Sequence, residues 1–159
     1  RDPDRARLGA WAGPAMTALS GDGWGGGVGM TVAALVRSHA RGRFAAQVEL
    51  AWARTAATRA GMAATLDAIE LPVAAHARLW RGDAIAVGAL AGAALDLRLD
   101  HALGDVAVDR LGAGALAGLD AELTGLPLRF ELRGALGLTT LGSAGRAWSL
   151  GASVGVLLF

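Results

Sequence analysis

Apolar and polar positions alternate along most of the chain. Phe44, Ala46, Val48, Leu50 and Trp52 form one face of a segment whose other face is Gln47, Glu49, Ala51 and Ala53. A period of two marks a β-strand with unlike faces. The next segment sets Ile69, Leu71, Val73, Ala75, Ala77 and Leu79 against Glu70, Pro72, Ala74, His76 and Arg78. Residues 85–99 are rich enough in Ala and Leu to suggest a helix. Their charges, Asp96 and Arg98, instead share even positions with Gly88 and Gly92 and make no 3.6-residue stripe, so the period decides for a strand. Ala113 to Leu123 opposes Gly112, Gly114, Gly118, Asp120 and Glu122; Leu128, Phe130 and Leu132 oppose Arg129, Glu131 and Arg133. Trp148, Leu150, Ala152, Val154, Val156 and Leu158 oppose Ser149, Gly151, Ser153 and Gly155. With Arg5–Ala18 and Gly25–Arg37 this predicts eight strands of roughly 10–14 residues, the length of tilted membrane-spanning strands or slightly more.

The connections add a second pattern. Links near 38–43, 81–83 and 124–127 are short, whereas those near 54–66, 100–110 and 140–146 are longer and more polar; only 19–24 is brief on that side. Short turns alternating with longer loops fit an antiparallel barrel with unlike ends, and an even strand number puts both termini at the short-turn end. Apart from Trp11, which is mid-strand, the aromatics fall into two groups. Phe44, Trp80, Phe130 and Phe159 lie toward the short-turn end, and Trp24, Trp52 and Trp148 toward the other, as aromatic belts at two membrane interfaces would. Helical spans fit poorly. The least charged stretch, 8–36, is broken by Pro14, Gly21-Asp22-Gly23 and Gly25-Gly26-Gly27, and other apolar runs fall short of about 20 residues.

Charge decides which face is outside. The polar face carries Arg5, Arg7, Arg78, Arg98, Arg129 and Arg133 against Glu49, Glu70, Asp96, Asp120, Glu122 and Glu131, with His76 among them and glycines between. Balanced charge interspersed with Gly suits a closed interior, where missing side chains leave room for long arginines. The other face is almost uncharged, as lipid requires. The expectation is an all-β, eight-stranded, antiparallel up-and-down transmembrane barrel, one domain over residues 1–159. A soluble lipocalin-like barrel would reverse the faces.

Composition narrows the class further. Of 159 residues, 53% are hydrophobic and 18% charged, with no Cys and a net charge of +1. The Cys count excludes a disulfide scaffold and a Cys-ligated metal, and the charge balance argues against a nucleic-acid partner.

The whole chain resembles small bacterial outer-membrane β-barrels, the broad class of OmpX-like and PorT-like proteins and the OmpA membrane domain. LDAIELPVAAHARLW, residues 66–80, resembles the strand with a central Leu-Pro of the PorT-like group. LRFELRGALGLTTL followed by WSLGASVGVLLF resembles the last hairpin of such barrels, and the terminal Phe159 resembles the signal read by the barrel-assembly machinery. Phe159 departs from the pattern in one respect, since it shares the parity of Ser149 and Gly151 rather than the apolar series ending at Leu158. The resemblance implies a Gram-negative outer membrane, periplasmic termini, outer-membrane lipid and the assembly machinery as partners, and a structural, interaction or anchoring role, alone or in a larger envelope complex.

Candidate chemistry is sparse. His39 sits in a short turn and His101 in a loop with Asp100, Asp105 and Asp109, where acidic residues are most simply solvated. No His pair has metal-ligand spacing. Some barrels of this size modify lipids, and Ser149, Ser153 and His76 share the inward parity, yet no nucleophile-elbow motif is present. Gly25-Gly26-Gly27-Val28-Gly29 lacks the Gly-Lys-Ser/Thr of a phosphate loop. The sequence therefore predicts no enzyme, no cofactor and, with twelve charges packed inside eight strands, no conducting pore.

Overall fold

A computed structural model of the chain describes residues 5–100 and 102–158. The barrel strands are β1 (Arg7–Leu19), β2 (Trp24–Arg37), β3 (Phe44–Arg59), β4 (Met62–Arg81), β5 (Ile85–Arg98), β8 (Leu111–Leu123), β9 (Leu128–Gly137) and β10 (Ala147–Leu158). A small hairpin, β6 (Ala102–Leu103) and β7 (Val106–Ala107), lies between β5 and β8. The eight long strands close in the order β1-β10-β9-β8-β5-β4-β3-β2, each antiparallel to the next along the chain, with β1 against β10. The expected eight-stranded antiparallel barrel is the architecture found. Closure removes the free edges an open sheet would expose and gives backbone groups ladder partners without water.

Two prolines mark where the ladder skips. Pro14 falls in the gap between the Ala12↔Val154 and Ala15↔Gly151 pairs of β1 and β10. Pro72 falls in the gap between Val48↔Val73 and Ala51↔Glu70 of β3 and β4. Proline has no N–H to give, so pairing lapses beside it and resumes beyond.

The structure corrects the sequence reading at one connection. Residues 54–66 are not a loop: β3 and β4 run through them to a two-residue turn, Ala60-Gly61, with φ of 49° and 80°. Two consecutive positive φ values match the twist of the flanking strands, the usual way to close a tight hairpin. The polar content that suggested a loop belongs to cross-strand pairs, as where Arg54 meets Asp67 in register and clasps it at 2.7 and 2.8 Å. The other connections at this end are the brief turn 20–23, the segment 99–110 holding β6 and β7, and 138–146 with a 3₁₀ turn at Gly142–Ala144.

Large apolar side chains face outward along every barrel strand; Met16, Val28, Leu50, Val73, Leu95, Leu119, Leu132 and Val154 are all exposed. In water such a surface would be a liability, and in a bilayer it is the solvated face. Among the described residues no helix is long and apolar enough to cross a membrane.

Candidate functional site

The lumen holds the polar chemistry. Odd positions of β1, β2, β3, β9 and β10 and even positions of β4, β5 and β8 point inward, following the pleat. Near the end where the strands begin and finish, Arg37 of β2 reaches Asp120 of β8 at 3.0 Å. Asp120 also accepts from Arg129 at 2.8 Å and lies 3.0 Å from His76 Nε2. Arg129 pairs with Glu131, and Glu131 with Arg133. Arg133 then donates to both oxygens of Glu49 at 2.8 and 2.6 Å. Glu49 accepts from Gln47, and Gln47 Oε1 accepts from Arg37 at 3.0 and 2.9 Å, so the circuit closes on itself. Glu122 joins below, taking Arg7 at 2.8 Å and a second bond from Arg37.

The circuit is a lattice of charge-assisted bonds in a space nearly sealed from water. Side chains of Asp120, Arg129, Glu131 and Glu49 are at most 2% accessible. Charges so placed are retained only when each has a partner. Gly88 makes one junction possible, since a Cβ there would collide with both His76 and Asp120. Trp11 packs with Ala33, Leu35, Ala51 and Leu157, and Arg133 lies over its ring, 4.8 Å from the centroid.

Of the sequence-predicted lumen residues, the circuit and its immediate neighbours gather Arg7, Glu49, His76, Asp120, Glu122, Arg129, Glu131 and Arg133. Asp96 and Arg98 form a separate group toward the loop end, 3.0 Å apart, where Arg98 also donates to Thr139 Oγ1 and the Asp109 carbonyl, both at 3.0 Å. Glu70 faces inward in register with Asp96, so two carboxylates oppose one another there. Arg78 donates to the Gly42 carbonyl, and Arg5 is exposed; both stand at the mouth. Arg37 and Gln47, which close the circuit, were absent from the expected set. Each shares its strand's inward parity, with Leu35 and with Glu49 respectively, and that signal could have found them.

The aromatic assignment needs two corrections. Phe44, Trp80 and Phe130 are exposed at the termini end, Trp148 sits outward at the other, and Phe159 lies outside the described residues. Trp52 faces outward midway along β3, because that strand continues to Arg59. Trp24 points inward. The β2–β3 register slips between Gly26 and Met30, inserting one extra residue in β2, and a single insertion flips every side chain beyond it. Trp24 instead packs on a plug of Leu19, Ala57, Leu66, Leu103, Leu141 and Ala144 that caps the loop end, with Arg59 over its ring.

Among the described residues one cluster has the makings of a metal site. His76, Asp120 and Glu122 bring ligand atoms within 4.8 Å of one another, but their oxygens are already held by Arg7, Arg37 and Arg129, which a cation would have to displace. The loop cluster is dispersed: Asp100 accepts from the Asp67 amide, Asp105 pairs with Arg59, and the Asp109 carbonyl takes Arg98, while His101 lies outside the described residues.

No family model matches the chain, and no curated protein matches it in sequence. Among solved structures it is similar to Ail, the attachment invasion locus protein of Yersinia pestis. A complex of Ail with the heparin analogue sucrose octasulfate aligns with a TM-score of 0.57 at 10% identity, covering 97% of this chain and 99% of that one. A second Ail structure gives 0.56 at 11% identity over the same shares. At such identity the likeness speaks for backbone architecture alone. Closed topology, outward apolar surface, charged lumen and this likeness together give the chain the fold of a small outer-membrane β-barrel.

Proposed function

We propose that the protein spans the outer membrane of a Gram-negative bacterium as a closed barrel with a structural, interaction or anchoring role. It is neither a pore nor an enzyme. The termini and the turns at 38–43, 82–84 and 124–127 face the periplasm. The connections 99–110 and 138–146, with the β3–β4 ribbon, face outward and carry any binding. Lipid and the assembly machinery are its partners during insertion, and a larger envelope complex is a further one.

The observation that carries this reading is the charged circuit spanning the lumen. An ion crossing it would have to part buried ion pairs, and removing one member of such a pair costs about 3–5 kcal/mol. The apolar plug of Leu19, Leu66, Leu103 and Leu141 supports closure from the other end.

The test is electrophoresis of detergent-folded protein, boiled and unboiled, followed by planar-bilayer recording. The expected result is a heat-dependent mobility shift with no conductance above a detergent control. A steady conductance in wild type would overturn the closed-lumen reading. Loss of the shift, with protein monodisperse in detergent-free buffer, would overturn the membrane reading.

A further inference from the structure

Below the circuit the barrel opens at the termini end into a vestibule of about 250 Å³. Six arginines line it: Arg5, Arg7, Arg37, Arg43, Arg78 and Arg81. Among the described residues the carboxylates in its walls are Asp120 and Glu122. Both are already engaged, Asp120 by Arg37, Arg129 and His76, and Glu122 by Arg7 and Arg37. Arg43 and Arg81, exposed at the rim, make no ion pair with a carboxylate among the described residues. The remaining wall is largely apolar, including Leu123, Leu126 and Leu157.

Like charges gathered in a concave site with low-dielectric walls focus a positive potential and draw in anions. Guanidinium forks match phosphate oxygens two at a time, so several around one cavity suit a multiply charged phosphate better than a single carboxylate. We propose that this vestibule binds a phosphate-bearing ligand, with Arg43 and Arg81 holding it at the rim above a floor in which Arg7 and Arg37 are already paired with Glu122 and Asp120. The same chemistry is offered by a soluble phosphate ester and by a phospholipid headgroup. The inference goes beyond the closed-barrel reading and does not depend on which way the barrel sits in a membrane.

The test uses the full chain folded in dodecyl maltoside, titrated in one arm with pyrophosphate and in another with short-chain dihexanoyl phosphatidic acid. Tryptophan fluorescence reports binding, since Trp80 adjoins Arg81, and ³¹P line broadening provides a second readout. Saturable binding that weakens with added NaCl is expected in at least one arm. In the R43Q/R81Q double variant it weakens about tenfold or more, as loss of charge-assisted contacts implies, while the loop-end control R59Q/R146Q binds as wild type. Tighter binding of pyrophosphate identifies a soluble source, and tighter binding of the lipid identifies a headgroup. No saturable binding in either arm, or equal binding by R43Q/R81Q, overturns the proposal. Heat-dependent mobility verifies that each variant is folded, and the single variants R43Q and R81Q serve should the double variant fail that check.

Discussion

Arg133 of β9 and Glu49 of β3 meet across the full width of the barrel, their strands standing four places apart in the ring of eight. Arg37 of β2 and Asp120 of β8 span the neighbouring diameter in the same way. These struts tie opposite walls together with bonds that no hairpin could supply. Burial makes each partner dependent on the other: an unmatched guanidinium in this space has almost no water to fall back on.

The first prediction follows from that dependence. Glu49→Leu or Arg133→Met alone should destabilise the folded barrel by about 3–5 kcal/mol, because the first leaves Arg133 with Glu131 alone and the second leaves buried Glu49 without a cationic partner. The double variant should lie closer to wild type than the sum of the singles. Urea unfolding in liposomes, followed by mobility shift, measures all three. Simple additivity would show that the two side chains do not act as a pair.

Arg98 and Arg59 offer a contrast between inside and outside. Arg98 is 5% exposed and serves Asp96, Thr139 and the Asp109 carbonyl. Arg59 is far more accessible and pairs with an exposed Asp105. Arg98→Ala should therefore cost about 3–5 kcal/mol and Arg59→Ala under about 1 kcal/mol. Equal shifts in the unfolding midpoint would contradict the inward placement of Arg98.

Gly88 is required by its neighbours rather than by its backbone. A methyl there would press on His76 and Asp120 together, so Gly88→Ala should cost about 1–3 kcal/mol. Gly125, with nothing near its missing Cβ, is the control, and Gly125→Ala should be close to neutral. The comparison is read from thermal mobility transitions of the two variants.

Ala60 carries positive φ without being glycine or asparagine. An L-residue with a Cβ pays about 1–2 kcal/mol in that region, and Asn-Gly is a preferred pair for such turns. Ala60→Asn should raise the unfolding midpoint while leaving every lumen contact in place. A lowered midpoint would mean that the tip has another conformation.

Much of this molecule was legible in its sequence because the strand pleat converts parity directly into side. Once Glu49, Asp96, Asp120 and Arg129 each fell on the opposite parity from its strand neighbour Leu50, Leu95, Leu119 or Phe130, strand number, antiparallel order and the uncharged outer surface followed. Two errors came from local exceptions to that rule. The Gly-rich start of β2 absorbs an extra residue, which turned Trp24 from the outer surface into the cap. The polar ribbon at 54–66 kept its alternation beyond the apolar band, so its polarity imitated a loop.

Which lumen charges pair with which could be settled only in three dimensions. Parity says that Arg133 and Glu49 both point inward, but they are 84 residues apart, and only closure into a ring of eight strands brings them to opposite ends of one diameter. The same closure separates Asp96 and Arg98 from the circuit and leaves six arginines around one mouth. The sequence by itself determined the strands and their two faces, because alternation is a local property of the extended chain. The tertiary structure alone decided partners, plug and vestibule, because these depend on how far the ring turns and where its register slips.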